Sequence, residues 1–231
     1  MAKRTMALIA TAAIVFITAN LSAQVFFIDD VDGQNGNDQG YIDDGAYYEY
    51  AYADETSVID VTGGIADLTE LFEGSTADIS GGQLWELWAF DESIVNVAGS
   101  GIGNLYGTDQ GTISITGGQV EWLSISFDSQ ATIVNGAVAN IWAEDSSIAD
   151  ITGYSLSYDP QFHYDGARGV WEGLLTGYWE DETPFNIKTW DEATYGHLVL
   201  NDLGPLPSVP EPATLLLLGL GGLVLRRKSI A

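Results

Sequence analysis

The sequence predicts an all-β fold: a parallel β-helix, or β-solenoid, of about six 18-residue coils, with a short C-terminal β cap and a terminal hydrophobic helix. Three observations predict it. Glycine recurs on an 18-residue lattice at Gly63, Gly81, Gly99, Gly117 and Gly153, with Asn135 on the one vacant point and Gly136 beside it. Two residues before each point stands a β-branched residue: Val61, Ile79, Val97, Ile115, Ile133 and Ile151. Three before stand the polar Asp60, Asp78, Asn96, Ser114, Thr132 and Asp150. Apolar and polar residues therefore alternate, which is strand periodicity. The Gly or Asn that follows supplies a permissive backbone for a turn.

A second segment follows that turn. Leu84, Ile102, Val120 and Val138 recur three residues after the lattice point, and Leu87, Leu105, Leu123 and Ile141 six after it. An acid closes the segment at Glu73, Asp91, Asp109, Asp128 and Asp145, with slips of one residue. A unit this short cannot bury its own apolar face, whereas stacked units form ladders of like residues. α-Solenoid repeats need about 33 residues or more, so the period excludes them. About six coils at ~4.8 Å each make a rod roughly 30 Å long. The array is expected over residues 50–153.

The flanks lose the period. Residues 24–49 read as an acidic N-terminal cap. The run Asp30 to Asp38 invites a calcium-loop reading but has Asn35 where an EF-hand needs Gly. Residues 154–203 read as a C-terminal β cap: Leu174 to Trp179, a turn through Pro184, Phe185 to Lys188, then Leu198 to Leu200. Such a cap covers the apolar end and unpaired strand edge of an open solenoid. Residues 204–208 form a Pro-rich linker.

Charge narrows the partners. The chain carries 33 acidic and 7 basic residues, and five of the basic ones lie in the terminal segments: Lys3, Arg4, Arg226, Arg227 and Lys228. Only Arg168 and Lys188 remain for the body. A body this acidic repels phosphate, so no nucleic-acid partner is expected. It attracts cations, with Ca²⁺ the natural oxygen-liganded ion outside a cell. With no Cys, a disulfide framework is excluded.

The two ends read as addresses. Residues 1–23 have a basic start at Lys3 and Arg4, an apolar stretch from Met6 to Ala19, and Leu21-Ser22-Ala23 at the cleavage point, the pattern of a signal peptide removed by signal peptidase. At the other end, Val209-Pro210-Glu211-Pro212 precedes the uncharged, Leu- and Gly-rich run Ala213 to Leu225, and Arg226-Arg227-Lys228 follows. Thirteen residues make about 20 Å of helix against a hydrocarbon core of ~30 Å, which suits transient insertion in the inner membrane. The basic cluster would stay on the cytoplasmic side.

These three parts, in this order over residues 209–228, resemble the PEP-CTERM sorting signal of Gram-negative bacteria. The resemblance implies recognition, and cleavage at Pro-Glu-Pro, by an exosortase-type membrane protease. It further implies delivery to the cell surface or to an exopolysaccharide matrix. The body, with units such as SIVNVAG and TISITGGQVEWL, looks like the Gly-rich β-solenoids attached to PEP-CTERM tails in planctomycete-type bacteria.

No catalytic constellation stands out. His163 and His197 share no metal-ligand spacing, and neither an HExxH nor a GxSxG element occurs. The expectation is a non-catalytic structural or adhesive surface protein. A carbohydrate-binding module is the alternative, and a polysaccharide-degrading β-helix enzyme a second. The candidate carbohydrate platform is Trp88, Tyr106 and Trp142, which share the position after the plus-six aliphatic residue and are interrupted by Ser124. Exposed aromatic faces stack on sugar rings; the competing reading is a ladder of rings stacked on one another. The candidate cation ligands are Glu73, Asp91, Asp109, Asp128 and Asp145; the competing reading is a row of solvated acids.

Overall fold

The structure, a computed structural model, describes residues 25–28, 39–191 and 193–207. The expected signal peptide and the sorting tail with its hydrophobic helix lie outside the described residues.

The fold is an all-β parallel solenoid of about six turns. Strands β1 (Val25–Ile28) and β2 (Gln39–Ile42) start the ladder, N-terminal of the residue-50 boundary. Each following coil has one long and one short strand. These are β3 (Tyr47–Ala53) and β4 (Val58–Val61), β5 (Ile65–Leu71) and β6 (Thr76–Ile79), and β7 (Gln83–Ala89) and β8 (Ile94–Val97). Then come β9 (Gly101–Gly107) and β10 (Thr112–Ile115), β11 (Gln119–Ile125) and β12 (Gln130–Ile133), and β13 (Ala137–Ala143) leading to β14 (Ile148–Asp165). The long strands pair in parallel in one sheet and the short strands in a second.

The register follows the 18-residue lattice without slippage from β4 to the start of β14. Ile79 pairs with Val97, Val97 with Ile115, and Ile133 with Ile151. These side chains point inward and are essentially unexposed, as are Leu84, Leu87, Leu105 and Leu123 from the long strands. Each such burial contributes about 1.5–3 kcal/mol. In a long strand the inward positions fall at spacings of three and then two, as in Leu84, Leu87 and Ala89. Two successive residues, Trp85 and Glu86, turn outward there, and the strand-to-strand pairing skips Trp85.

The lattice glycines serve a different purpose from the one expected. A Cβ on Gly81 would lie 2.4 Å from the Thr62 carbonyl oxygen, and one on Gly117 2.2 Å from that of Ala98. Close approach of the coil below excludes a side chain there. The left-handed backbone falls one residue later, at Gly64, Gly82, Gly118 and Gly136.

The opposite turn carries a second left-handed position, at Glu55, Glu73, Asp91, Asp109, Phe127 and Asp145, with φ between 49° and 60°. This corrects the expected slip of the acids. The 18-residue register places Phe127, not Asp128, in the series, and Asp128 follows it. Asp tolerates this conformation better than most residues, so the backbone itself favours an acid at this point.

The cap continues the solenoid before closing it. β15 (Val170–Tyr178) is antiparallel to both β14 and β16 (Pro184–Thr189). β16 adds to the long-strand sheet in parallel beside β13, and β17 (Leu198–Asp202) adds to the short-strand sheet beside β14. Trp179 is buried, stacks on Phe185 at 3.9 Å, and donates its indole N–H to the Gly136 carbonyl at 2.8 Å. The exposed outer half of β14 contains Pro160, which blunts the edge against pairing with another chain.

Candidate functional site

The outer face of the long-strand sheet holds the aromatic residues. Leu87, Leu105, Leu123 and Ile141 point inward, so alternation turns Trp88, Tyr106, Ser124 and Trp142 outward, where they are half-buried. They stand in direct register: Trp88 beside Tyr106, Tyr106 beside Ser124, Ser124 beside Trp142.

The structure brings Trp88 and Tyr106 together and separates them from Trp142. Trp88 and Tyr106 stack face to face, centroids 3.9 Å apart and planes 16° from parallel. Trp88 also stacks on Phe90 at 5.6 Å, and Phe90 on Phe72 at 4.6 Å. Phe72 meets Tyr52 at 5.3 Å. Burial, with Glu86 adding to it, pushes the Tyr106 hydroxyl above its ordinary pKa.

A second cluster lies beyond Ser124. Trp190 continues the column above Trp142, with ring centroids 6.1 Å apart, and meets Trp122 edge-on at 4.6 Å. The Arg168 guanidinium sits 3.3 Å over the Trp190 ring. Arg168 also pairs with Asp165 at 3.2 Å and Glu172 at 3.5 Å, so its charge is matched locally. Neither Trp190 nor Arg168 belongs to the repeat. Only the fold of the cap brings them to this face, and no spacing in the sequence marks them for it.

The predicted acids form an edge along the second turn. Glu73, Asp91 and Asp109, with Glu92 and Gln110, line a shallow groove of about 330 Å³. Asp128 and Asp145 do not line it. Near the start of the edge, Asp54, Glu55 and Glu73 place one carboxylate oxygen each within 4.8 Å of one another. Asp54 and Glu55 were not among the expected ligands, although Glu55 occupies the same left-handed position one coil earlier than Glu73.

The histidines do not form a pair. His163 is exposed on the outer half of β14, whereas His197 Nδ1 lies 3.0 Å from the Ser147 carbonyl and ties the cap to the last coil. Among the described residues no helix is long and apolar enough to cross a membrane.

Comparison with known families decides the C-terminal reading. Residues 208–228 match the PEP-CTERM protein-sorting motif. The motif implies export, sorting to the cell surface, and processing at the C-terminus by an exosortase. Val209, Pro210, Glu211, Pro212 and the basic Arg226, Arg227 and Lys228 all fall inside the match. The PEP-CTERM match covers the tail alone, and the solenoid is read from its own geometry. No curated protein and no solved structure was found to match the chain.

Proposed function

We propose that this chain is a non-catalytic structural or adhesive component of the cell surface or extracellular matrix, placed there by its PEP-CTERM motif. One observation carries this reading. Aromatic side chains that recur along the ladder stack on one another, as in the 3.9 Å stack of Trp88 on Tyr106. Such ladders stiffen a rod. The pairing of Arg168 with Asp165, Glu172 and Trp190 further supports it, because that cation is held by its own neighbours. The tail is proposed to sit transiently in the inner membrane before processing, and Ca²⁺ is proposed as the counter-ion of the acidic edge.

Carbohydrate binding is the second reading. It is favoured by the break in the aromatic column at Ser124, beside which Tyr106 and Trp142 each stack on one ring alone. Incubating the exported protein with neutral and acidic polysaccharides tests both. The first reading expects polymer integrity to be unchanged, with or without binding. Release of oligosaccharide that scales with protein concentration would replace it with the enzyme.

A further inference from the structure

Within an aromatic stack each ring covers its neighbour's face, so Trp88 and Tyr106 present mainly their edges to a ligand. One face of Tyr106 is left without a stacked ring where the column stops. It stops at Ser124, which lies in register between Tyr106 and Trp142. Those two residues are therefore two strand spacings apart, roughly 9–10 Å. The 3.9 Å separation of Trp88 and Tyr106 is shorter than one spacing, so the two rings lean together. Trp122, on the same strand as Ser124, is turned toward Trp190.

The floor of this gap is polar. Ser126 follows the end of β11 two residues after Ser124, and Thr108 follows the end of β9 on the coil below, where the Ser126 N–H donates to the Gly107 carbonyl. Among the described residues, the side chains of Ser124, Ser126 and Thr108 make no hydrogen bond within the protein. Hydroxyls both donate and accept, the set that hydroxyl-bearing ligands require. The surroundings are acidic: Glu86 lies near Tyr106, and Glu144 follows Trp142 two residues on. Two cations lie on this side: Arg168, paired with Asp165 and Glu172, and Lys188 on β16, in register with Asn140. An anionic chain would meet repulsion over a Debye length of about 8–10 Å.

We infer that the gap over Ser124, between Tyr106 and Trp142, is a subsite for one pyranose ring of an uncharged glycan. The ring lies between the two aromatic faces, and its hydroxyls reach Ser124 and the neighbouring Ser126 and Thr108. This deepens the carbohydrate-binding reading and rests on it.

Titration of the exported protein with cellohexaose, xylohexaose, mannohexaose and an oligogalacturonate, followed by tryptophan fluorescence and calorimetry, tests the inference. Ser124→Phe completes the aromatic column and fills the gap, and Tyr106→Ala removes one wall. The expected result is binding of at least one neutral oligosaccharide, no binding of oligogalacturonate, and affinity about tenfold or more weaker in both variants. Ser124→Phe should melt no lower than the parent, so its loss of binding would not reflect unfolding. Unchanged binding of the neutral sugar by Ser124→Phe would overturn the subsite while leaving the wider carbohydrate reading intact. Failure of the parent protein to bind any of the neutral sugars would overturn both.

Discussion

A Cβ placed on Gly107 would lie 2.9 Å from Cδ1 of Ile113 and 3.3 Å from Cγ2 of Ile125. Gly107 ends a long strand and Ile113 lies in the next short one, so the two meet at a corner of the same coil. That corner repeats with its sizes exchanged. It holds Ala53 with Ile59, Leu71 with Ala77, Ala89 with Val95, and Ile125 with Ala131, all buried. In these five coils a small residue on one strand accompanies a larger one on the other, which keeps the corner filled, whereas the last coil has Ala143 with Ala149.

Overfilling that corner should therefore be reversible. Gly107→Val is expected to lower stability by about 1–3 kcal/mol. Adding Ile113→Ala should recover most of the loss, although either change alone is destabilising. Urea melts of the single and double variants check this. A double variant no more stable than the worse single one would contradict the packing described.

The turn before each short strand offers a second contrast. Ser57, Ser75, Ser93, Ser129 and Ser147 are buried there on the 18-residue lattice. Ser129 Oγ donates within reach of two carbonyls, Gly107 at 3.1 Å and Ser126 at 2.8 Å. Ser93 Oγ is buried with no partner. Ser129→Ala should cost about 1 kcal/mol, whereas Ser93→Ala should be neutral or stabilising. Equal melting temperatures for the two variants would show that these bonds contribute nothing.

Much of this was legible in the chain. Val61, Ile79, Val97 and Ile115 announce their inward column because β-branched residues recur at a fixed interval on alternating strands. The lattice glycines were equally visible, but their reason was not. Gly81 and Gly117 face a carbonyl of the coil below, a contact between coils that one unit does not display. The serine column has the same period, but a buried Ser gives no hydrophobic signal. Asp128 drew attention as an acid, yet Phe127 holds its series' backbone position. Trp190 joins the aromatic face through contacts 48 and 68 residues away, and Arg168 through Trp190, 22 residues on, and neither spacing forms a local pattern.

Alkaline pH should weaken the fold through its tyrosines. Burial, followed by the hydrogen bond to Glu70, raises the Tyr50 pKa, and burial raises those of Tyr106 and Tyr158. The folded state thus keeps protons that the unfolded chain releases near 10. The stability they confer is fully present below pH 10 and is lost as pH rises toward the folded values. Melting temperature should fall above pH 10, and Tyr50→Phe should make that fall shallower. An unchanged slope in the variant would remove Tyr50 from the account.

The acidic edge bears on cations. A divalent ion held by Glu73 and its neighbours stabilises the rod by mass action, whereas simple screening depends on ionic strength alone. Millimolar Ca²⁺ is expected to raise the melting temperature above that in NaCl of matched ionic strength, and Glu73→Gln should reduce the difference. Coincident curves in the two salts would leave the acids as a solvated edge, set by the left-handed turn.

The most direct test of the account concerns sorting. The intact mass of the surface-exposed protein should correspond to a chain that begins at Gln24 and lacks Arg226, Arg227 and Lys228. A variant carrying Pro210→Ala, Glu211→Ala and Pro212→Ala should instead retain those residues and accumulate in the inner membrane. Recovery of that triple variant at the surface, processed like the parent, would contradict the central claim.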